Sequence, residues 1–287
     1  MHNTIVLNSF AMGDRIPRII HQTYRDKDSL PLAIQENIRR IASLNTNWEC
    51  RLYDDSDIET FIQTHYGSGI LQIYRKINPS YGAARADFFR YLLIYAQGGV
   101  YLDVKSAATR PLDEVIHPDD CYILSKWDNL KGGKYYAWGM HPEVAALERG
   151  EYQQWHVIAA AGHPFLRAVI GRVIERIQHY NAAIDGVGFM GVLRTTGPIC
   201  YTLAIEEIIS KHPSRRVEIE QDMGIEYSIY DSANADRSKN HRNIFAKHYT
   251  ELETPVILPE EEIVASRPAN AAPPPKPATT QESRSEW

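Results

Sequence analysis

The sequence predicts an α/β protein built around a largely parallel β-sheet. Short runs of β-branched and aromatic residues alternate with longer segments of helical period, which is typical of strands joined by helical crossovers. The chain has 287 residues, of which 44% are hydrophobic. A chain of this size can bury a large core without a disulfide or a metal ion.

The first elements alternate between strand and helix. Residues 18–24 follow a proline and predict the first strand. Residues 31–44 carry apolar side chains at helical spacing, with a proline suited to the first turn, and residues 48–53 predict the second strand. The Ser-Asp-Ile-Glu sequence at residue 56 has the form of a capping box and predicts a helix over residues 56–65.

The clearest predicted helix covers residues 80–97. Aromatic and aliphatic side chains recur on one face of it, and Gly98 and Gly99 predict its end. The later predicted elements are strands at residues 100–102 and 121–124 and helices at residues 163–180 and 198–210.

The end of the sequence has a different composition. Residues 265–287 contain five prolines and little apolar surface. Such a segment does not bury enough apolar surface to offset the entropy lost on ordering, so it predicts an extended tail. The sequence therefore predicts a single domain over residues 1–264, followed by the tail.

Charge and hydropathy exclude several classes of protein. Lys and Arg total 31 and Asp and Glu total 36, which gives a net charge of −5. This balance argues against a nucleic-acid partner. The uncharged apolar stretches, such as residues 91–96, fall far short of the roughly 18 residues that span a bilayer. The first 30 residues contain charged side chains and no secretory apolar region.

Cysteine usage predicts the compartment. The three cysteines, Cys50, Cys121 and Cys200, form no C-x-x-C pair. An odd and sparse set is typical of free thiols in a reducing environment. The sequence therefore predicts a cytoplasmic protein.

Several common motifs are absent or misplaced. Residues 186–191 match G-x-G-x-x-G, but they follow a helical pattern instead of a strand, so they predict a loop and not a dinucleotide site. The sequence has no P-loop, no H-E-x-x-H and no G-x-S-x-G.

One pair of charges stands out on the predicted helix at 80–97. Asp87 and Arg90 are three positions apart and share a helix face. They could form a surface ion pair, but the helix around them is apolar over much of its circumference, which favours the rim of a pocket. There a carboxylate accepts hydrogen bonds from sugar hydroxyls, and a guanidinium donates to hydroxyl or phosphate oxygens.

A second acid follows the predicted strand at 100–102. In open α/β sheets, ligands bind outside the carboxyl ends of the strands, which is where Asp103 is expected. An aspartate at this position can equally cap the following turn. The sequence alone leaves these two interpretations of Asp103 open.

Taken together, these residues resemble glycosyltransferase family 32. That family includes initiating α-1,6-mannosyltransferases and bacterial capsule and lipopolysaccharide sugar transferases, and the chain is similar also to the glucosylating domains of large clostridial toxins. The combination of D-x-x-R with a later G-G-x-Y-L-D is specific, and the resemblance spans about residues 16–250. The matching segments are I-P-R-I-I-H-Q at 16–22, A-A-R-A-D-F-F-R-Y at 83–91 and G-G-V-Y-L-D at 98–103, with weaker matches at 162–164, 196–198 and His248.

The resemblance implies a GT-A type fold, a mixed and mostly parallel sheet flanked by helices, and a nucleoside-diphosphate sugar as donor, linked to UDP or GDP. It implies that Ile20, His21 and Gln22 of the first strand line the nucleotide pocket. Asp87 and Arg90 are expected to hold the hydroxyls of the donor sugar.

The resemblance also assigns the residues near the diphosphate. Asp103 takes the first acidic place of the D-x-D motif, which contacts ribose, sugar and bound cation, and Tyr101 precedes it in the same donor-binding segment. His248 is expected near the diphosphate. Asp103 and His248 are the expected ligands of a divalent cation, Mn²⁺ or Mg²⁺.

Two positions depart from the family pattern. Ala86 replaces a serine, and Lys105 replaces the second acid of D-x-D. A lysine about 4 Å from a divalent cation would cost about 8 kcal/mol at an effective dielectric of about 20. Three alternatives follow: Lys105 turns away from a bound cation, or it neutralises the leaving diphosphate itself, or the chain binds nucleotide sugars without turnover. The predicted catalytic residues are Asp103, Lys105 and Arg90.

One aromatic segment has two interpretations, as part of the core or as an acceptor-binding loop. Residues 127–138 are aromatic, polar and contain glycine, which suits a loop at a pocket mouth, although aromatic residues more often serve cores. The resemblance implies transfer of a hexose to a glycan or glycolipid, with retention of configuration, in polysaccharide or lipopolysaccharide synthesis. The alternative is a non-catalytic binding protein of the same pathway. A lipid-linked acceptor would bring the protein to the inner face of the membrane.

Overall fold

The computed structural model describes residues 7–212, 216–219, 222–230 and 249–259. The tail predicted at 265–287, the domain boundary predicted at residue 264 and His248 lie outside these residues. Among the described residues, no helix combines the length and the apolar character needed to cross a bilayer.

Strands and helices alternate through most of the described chain. The helices are α1 (Leu32–Leu44), α2 (Asp55–Lys76), α3 (Gly82–Gln97), α4 (Pro164–Gln178), α5 (Ala182–Asp185), α6 (Gly188–Thr195) and α7 (Pro198–Glu206). The strands are β1 (Ile19–Thr23), β2 (Glu49–Tyr53), β3 (Gly99–Leu102), β4 (Ala107–Ala108), β5 (Tyr122–Lys126), β6 (His156–Ala159), β7 (Arg216–Ile219) and β8 (Ile225–Glu226).

Within the described residues, the main sheet has six strands in the order β2-β1-β3-β6-β5-β7. β1 is parallel to β2 and β3, and β5 is parallel to β7, whereas β6 is antiparallel to β3 and β5. A small second sheet pairs β4 with β8. The predicted class, a mixed and mostly parallel sheet flanked by helices, is confirmed and is consistent with the GT-A type fold.

The central strand β3 separates two hydrophobic cores because successive side chains of a strand point to opposite faces. Tyr101 packs in the larger core with residues of α2, α3, α4 and α7. Val100 and Leu102 pack in the smaller core with Ile20 and Ile158. Paired on both sides, β3 holds the residue that follows it, Asp103, in a fixed place.

Two glycines connect α3 to β3. The Gly98 N–H donates to the carbonyl of Ile94 and closes the helix. Gly98 has φ 67° and Gly99 has φ 104°, values that side chains disfavour. The predicted end of the helix at these glycines is confirmed.

The start and length of α2 differ from the prediction. The capping box uses Asp54 and Asp57: the Asp54 carboxylate accepts from the backbone N–H groups of Ser56 and Asp57 at 3.0 and 2.9 Å, and Asp57 accepts from that of Asp54 at 3.0 Å. The helix also runs on to Lys76 across non-helical backbone at Gly67. The prediction of a capping box formed by Ser56 and Glu59 was therefore wrong. The predicted end near residue 65 was also wrong, because apolar residues after Gly67 pack in the core and continue the helix.

The glycine-rich segment at 186–191 is only partly a loop. Helix α6 begins at Gly188, where a Cβ would lie 2.7 Å from the carbonyl oxygen of Leu252. The segment follows helix α5 and not a strand. The loop prediction was therefore wrong for residues 188–191, and the argument against a dinucleotide site is unchanged.

Candidate active site

A cavity of about 730 Å³ opens beyond the end of β3. Its volume lies in the range of small-molecule sites. Side chains from α3, the turn after β3, the segments 127–141 and 151–155, and α6 line it together with Tyr227 and Tyr249. Asp87, Arg90, Asp103 and Lys105 all face this one cavity.

Arg90 joins the two acids that the sequence singled out. Its Nη2 lies 3.1 Å from Oδ1 of Asp87 and 3.0 Å from Oδ1 of Asp103. The Arg90 and Asp87 side chains are 3% and 4% exposed, whereas Asp103 is 23% exposed. Asp103 is thus the acid of this pair that a ligand in the cavity can reach most easily.

The Arg90 guanidinium stays charged. Burial by itself would lower the pKa of Arg90, but the carboxylates of Asp103 and Asp87 reverse this effect, and its pKa lies above the ordinary value. Arg90 also donates to the backbone carbonyls of Ala86 and Gln154. The guanidinium is held in one orientation by these contacts.

Two further side chains hold Asp87. The Thr196 hydroxyl donates to Oδ2 of Asp87 at 2.9 Å, and the Gln154 amide donates to Oδ1 at 3.1 Å. Tyr91 then donates to the carbonyl of Thr196 at 2.9 Å. Sequence reasoning noted residues 196–198 only as a weak match and missed this role, because the partners are more than 60 positions from Asp87 along the chain.

Asp103 begins a tight turn after β3. Its backbone N–H donates to the carbonyl of Trp155 at 2.9 Å, and its carbonyl accepts from Ser106 at 2.8 Å. Its carboxylate pairs with Arg90 at the cavity. Of the two interpretations left open, the placement at the ligand crevice agrees with this geometry.

Lys105 also reaches the cavity. Its Nζ donates to the Tyr227 hydroxyl at 2.8 Å and lies 4.1 Å from the centre of that ring. Tyr227 itself lines the cavity. A positive charge therefore stands beside the Arg90 cluster, at the position where the family has its second acid.

Of the two predicted metal ligands, only Asp103 belongs to the described residues. No three His, Cys, Asp or Glu side chains within the described ranges gather closely enough to hold a metal ion. Asp103, the first expected ligand, pairs with Arg90. The other expected ligand, His248, lies outside the described residues.

The first strand does not contribute to this cavity as expected. Ile20 and His21 are 1% and 0% exposed, and the His21 ring bonds to the Gly98 carbonyl and the Tyr53 hydroxyl at 3.1 Å each. Burial lowers the pKa of His21 to about 4. Gln22 is 4% exposed, on the face of the sheet opposite His21. The expectation that these three residues line the pocket is corrected, because their side chains pack inside the fold.

Tyr101 is a support for Arg90. Its ring lies 4.7 Å from the Arg90 guanidinium, and its hydroxyl bonds to the Thr23 hydroxyl at 2.8 Å. Only 1% of the residue is exposed, and it is not among the cavity-lining residues. The expectation of direct donor contact by Tyr101 is corrected to support of the guanidinium from below.

Part of the cavity wall is aromatic. Trp127 and Trp138 come from the segment predicted to form a pocket mouth, and both line the cavity. Their ring centres lie 5.4 Å apart. Glu151 and His141, which sequence reasoning missed, also line the cavity, with Oε2 of Glu151 3.2 Å from Nε2 of His141.

Comparisons with known proteins agree with the site. Residues 31–123 match the profile of a family described as "Glycosyltransferase sugar-binding region containing DXD motif". The chain is 26% identical over 209 residues to an initiation-specific alpha-1,6-mannosyltransferase of Candida albicans, covering 68% of this chain and 53% of that protein. It is 26% identical over 185 residues to inositol phosphoceramide mannosyltransferase 3 of Schizosaccharomyces pombe, covering 64% of this chain and 43% of the relative.

The chain thus spans about half the length of the curated relatives it matches. Among solved structures, the PaToxG glycosyltransferase superposes with a TM-score of 0.49 at 13% identity, over 69% of this chain and 70% of that one. The region matched by the family profile, residues 31–123, contains Asp87, Arg90 and Asp103. The profile match and the mannosyltransferase relatives confirm the predicted resemblance to DXD-type sugar transferases.

Proposed function

We propose that the protein is a glycosyltransferase that moves a hexose from a nucleoside-diphosphate sugar to a glycan or glycolipid acceptor. One observation carries the proposal: Asp87, Arg90, Asp103 and Lys105 line one cavity beyond the end of a central strand. The names of the relatives support mannose as the transferred sugar. The proposed donor is a hexose linked to GDP or UDP.

Asp103 and Arg90 bind the donor. Asp103, the more exposed acid, accepts hydrogen bonds from hydroxyls of the donor, and Arg90 donates to hydroxyl or phosphate oxygens. Asp87 is held by Thr196 and by Gln154, and it fixes the guanidinium. Such a preorganised set costs little rearrangement when charge develops.

Lys105 assists the leaving group. In the transfer, the acceptor hydroxyl oxygen forms a bond to the anomeric carbon, and the bond from that carbon to the phosphate oxygen breaks with its electron pair. The hydroxyl proton passes to the departing phosphate. The Lys105 ammonium, next to Tyr227, stabilises the negative charge that grows on the diphosphate more in the transition state than in the ground state.

Lys105 can supply the positive charge that a metal ion supplies in other transferases. A divalent cation, when bound at a D-x-D motif, neutralises the diphosphate, and Lys105 brings a positive charge to the same position. The activity should therefore be measured both with and without Mn²⁺ or Mg²⁺. Retention of configuration at the donor carbon is part of the proposal by analogy with the family.

The setting of the reaction is also a proposal. Synthesis of a polysaccharide or lipopolysaccharide in the cytoplasm, at the inner face of the membrane where the acceptor is lipid-linked, fits the substrate class. The cysteines Cys50, Cys121 and Cys200 are free, as in a reducing compartment.

A second candidate function is nucleotide-sugar binding without turnover. The observation that favours it is Lys105 in place of an acid, held by Tyr227. The two functions share the donor site and differ only in product formation.

A donor screen tests both candidates. The purified protein is incubated with UDP- and GDP-linked hexoses, with and without Mn²⁺, and both release of nucleoside diphosphate and thermal stabilisation are measured. Release with at least one donor supports the transferase. Stabilisation without release identifies the binding protein, and neither effect with any donor rejects both.

A further inference from the structure

We propose that the aromatic wall of the cavity, formed by Trp138, Glu151 and Trp155, binds the pyranose ring of the acceptor sugar. This inference rests on the proposed function, because it assigns the acceptor to the part of the cavity that adjoins the donor-binding residues. Three independent features of this wall support it: a carboxylate, an indole N–H without a partner, and an exposed ring.

The carboxylate is that of Glu151, which is 5% exposed and lines the cavity. Its Oε1 accepts from Nε1 of Trp127 at 3.0 Å, and its Oε2 lies 3.2 Å from Nε2 of His141. A carboxylate offers about four lone-pair sites. The two contacts fix its orientation, and the remaining sites can accept hydrogen bonds from hydroxyls of a ligand in the cavity.

The hydrogen-bond donor is the indole of Trp155. This side chain lines the cavity and is only 4% exposed, and its Nε1 has no hydrogen-bond partner among the described residues. Its backbone carbonyl accepts from the N–H of Asp103. A buried N–H without a partner is destabilising, and a ligand oxygen that reaches it from the cavity would satisfy it.

The exposed ring is Trp138, of which 42% is exposed at the cavity. Its other side packs against Trp127 at 5.4 Å and against Tyr135 at 5.1 Å. Phe189, 43% exposed, lines the same cavity from α6. An exposed aromatic surface beside polar groups suits a ligand with one apolar face and several hydroxyls.

The backbone around this wall is built for close packing. Gly139 has φ 71°, and a Cβ there would lie 2.7 Å from Cδ1 of Trp127 and 2.8 Å from Cγ of Glu151. The Gly139 carbonyl accepts from the N–H of Glu151 at 3.0 Å, and Asn129 donates to the carbonyl of Trp138 at 2.6 Å. The ring, the carboxylate and the loop between them are therefore held together before any ligand binds.

These features match the chemistry of a pyranose. A sugar ring has hydroxyl hydrogens for the carboxylate, oxygens for the indole N–H, and a face of C–H groups for the tryptophan ring. The free ends of glycans and the headgroups of glycolipids present the same ring. The wall adjoins the donor-binding site, since the Trp155 carbonyl accepts from the N–H of Asp103, so a sugar bound there would bring a hydroxyl close to the donor.

A binding experiment tests this subsite without turnover. Methyl α-D-mannopyranoside, methyl α-D-glucopyranoside and methyl α-D-galactopyranoside are titrated by saturation-transfer NMR and tryptophan fluorescence. The test variants are Trp155→Phe, which keeps an aromatic ring and removes the N–H, Trp138→Ala, and Glu151→Gln. The matched control is Glu148→Gln, since Glu148 is an exposed acid of the same segment.

We expect saturable binding of at least one glycoside by the wild type and by Glu148→Gln, and about tenfold weaker binding by Trp155→Phe and Trp138→Ala, as expected for loss of one such contact. Tighter binding of the octyl than of the methyl glycoside would support the ring site with a glycolipid acceptor. The inference is overturned if the wild type shows no saturable binding, or if both tryptophan variants bind as tightly as the wild type.

Two controls separate this inference from the proposed function. UDP and GDP are added to the glycoside titrations, and direct competition between nucleotide and glycoside would overturn the inference by assigning the wall to the donor. Thermal stabilisation by UDP or GDP is measured in parallel and depends on the Asp103 side of the cavity. Its absence in the wild type counts against the proposed function, while the glycoside titration still decides the subsite.

Discussion

The Arg90 guanidinium and the Asp103 carboxylate lie 3.0 Å apart, although they belong to different elements. Arg90 lies in the middle of α3 and Asp103 follows β3. The sharp connection at Gly98 and Gly99 turns the chain back so that the strand lies against the helix that precedes it. Residues that are separated along the sequence, Asp87, Arg90 and Asp103, therefore form one ion-pair cluster.

Replacing Asp103 should remove activity and preserve the fold. In Asp103→Ala, Arg90 keeps its contacts with Asp87 and with two backbone carbonyls. We expect a loss of about 10²- to 10³-fold in kcat for transfer, with a thermal midpoint close to that of the wild type. Asp119→Ala, at an exposed acid, is the control. Unimpaired transfer by Asp103→Ala would remove this acid from the mechanism.

Thr196 should act by positioning Asp87. Thr196→Val keeps the shape of the side chain and removes the hydroxyl that donates to Asp87 at 2.9 Å. A buried carboxylate oxygen that loses its donor costs about 1–3 kcal/mol. We therefore expect kcat/KM for the donor to fall about tenfold or more, and Thr196→Ser to restore most of it. Equal values for the valine and serine variants would show that the hydroxyl is not needed.

Lys105 should determine the response to metal ions. If its ammonium stabilises the leaving diphosphate, Lys105→Met should lose about 10²-fold in kcat, and Lys105→Asp should regain activity when Mn²⁺ is added. The measurement is the donor-release rate with EDTA and with Mn²⁺. Lys131→Met, at an exposed lysine, is the control. An identical response to EDTA in the wild type and in Lys105→Asp would reject this role.

Much of the fold was predictable because its signals are local. The helix at 82–97, its end at Gly98 and the strand after it follow from apolar spacing and from two glycines. The helix entry at His163 and Pro164 is local as well. Strand β6 was missed, since its four residues carry no turn signal and form a strand through pairing with β3 and β5.

The site was predictable where the motif is contiguous and not where distant segments meet. Asp87, Arg90 and Asp103 share a short stretch of sequence. Glu151 lines the cavity and Thr196 holds Asp87. Both come from segments far along the chain, and nothing in their local sequence separates them from other polar residues. The first strand shows the opposite case. Its motif was recognised in the sequence, but His21 packs in the core and does not line the cavity.

Gly99 should be essential for the stability of the site. An added Cβ would lie 2.6 Å from the carbonyl oxygen of Ile19 and 2.9 Å from Nε2 of His21, at φ 104°. We expect Gly99→Ala to lower the free energy of unfolding by about 2 kcal/mol or more. Gly82→Ala is the matched control: nothing lies within 4 Å of its Cβ, and it should be neutral or stabilising. Urea unfolding measures both, and equal stability of the two variants would contradict this account.

Acid should destabilise the fold through buried histidines. Burial lowers the pKa of His21 and of His163 to about 4 and that of His156 to about 3. Unfolded histidines bind a proton below about pH 6.5. Between about pH 6.5 and 4 the unfolded state therefore binds more protons than the folded state, and the free energy of unfolding falls as the pH falls.

His163 allows this effect to be isolated. Its Nδ1 accepts from the N–H of Phe165 at 3.2 Å and caps α4, and asparagine can provide the same cap without titrating. Between pH 7 and pH 5 we expect the wild type to lose about 2 kcal/mol for each such histidine, and His163→Asn to lose correspondingly less. His179→Gln, at an exposed histidine, should keep the wild-type slope. Urea unfolding at the two pH values measures the difference, and an unchanged slope in His163→Asn would show that the folded state already accommodates a charged ring at the start of α4.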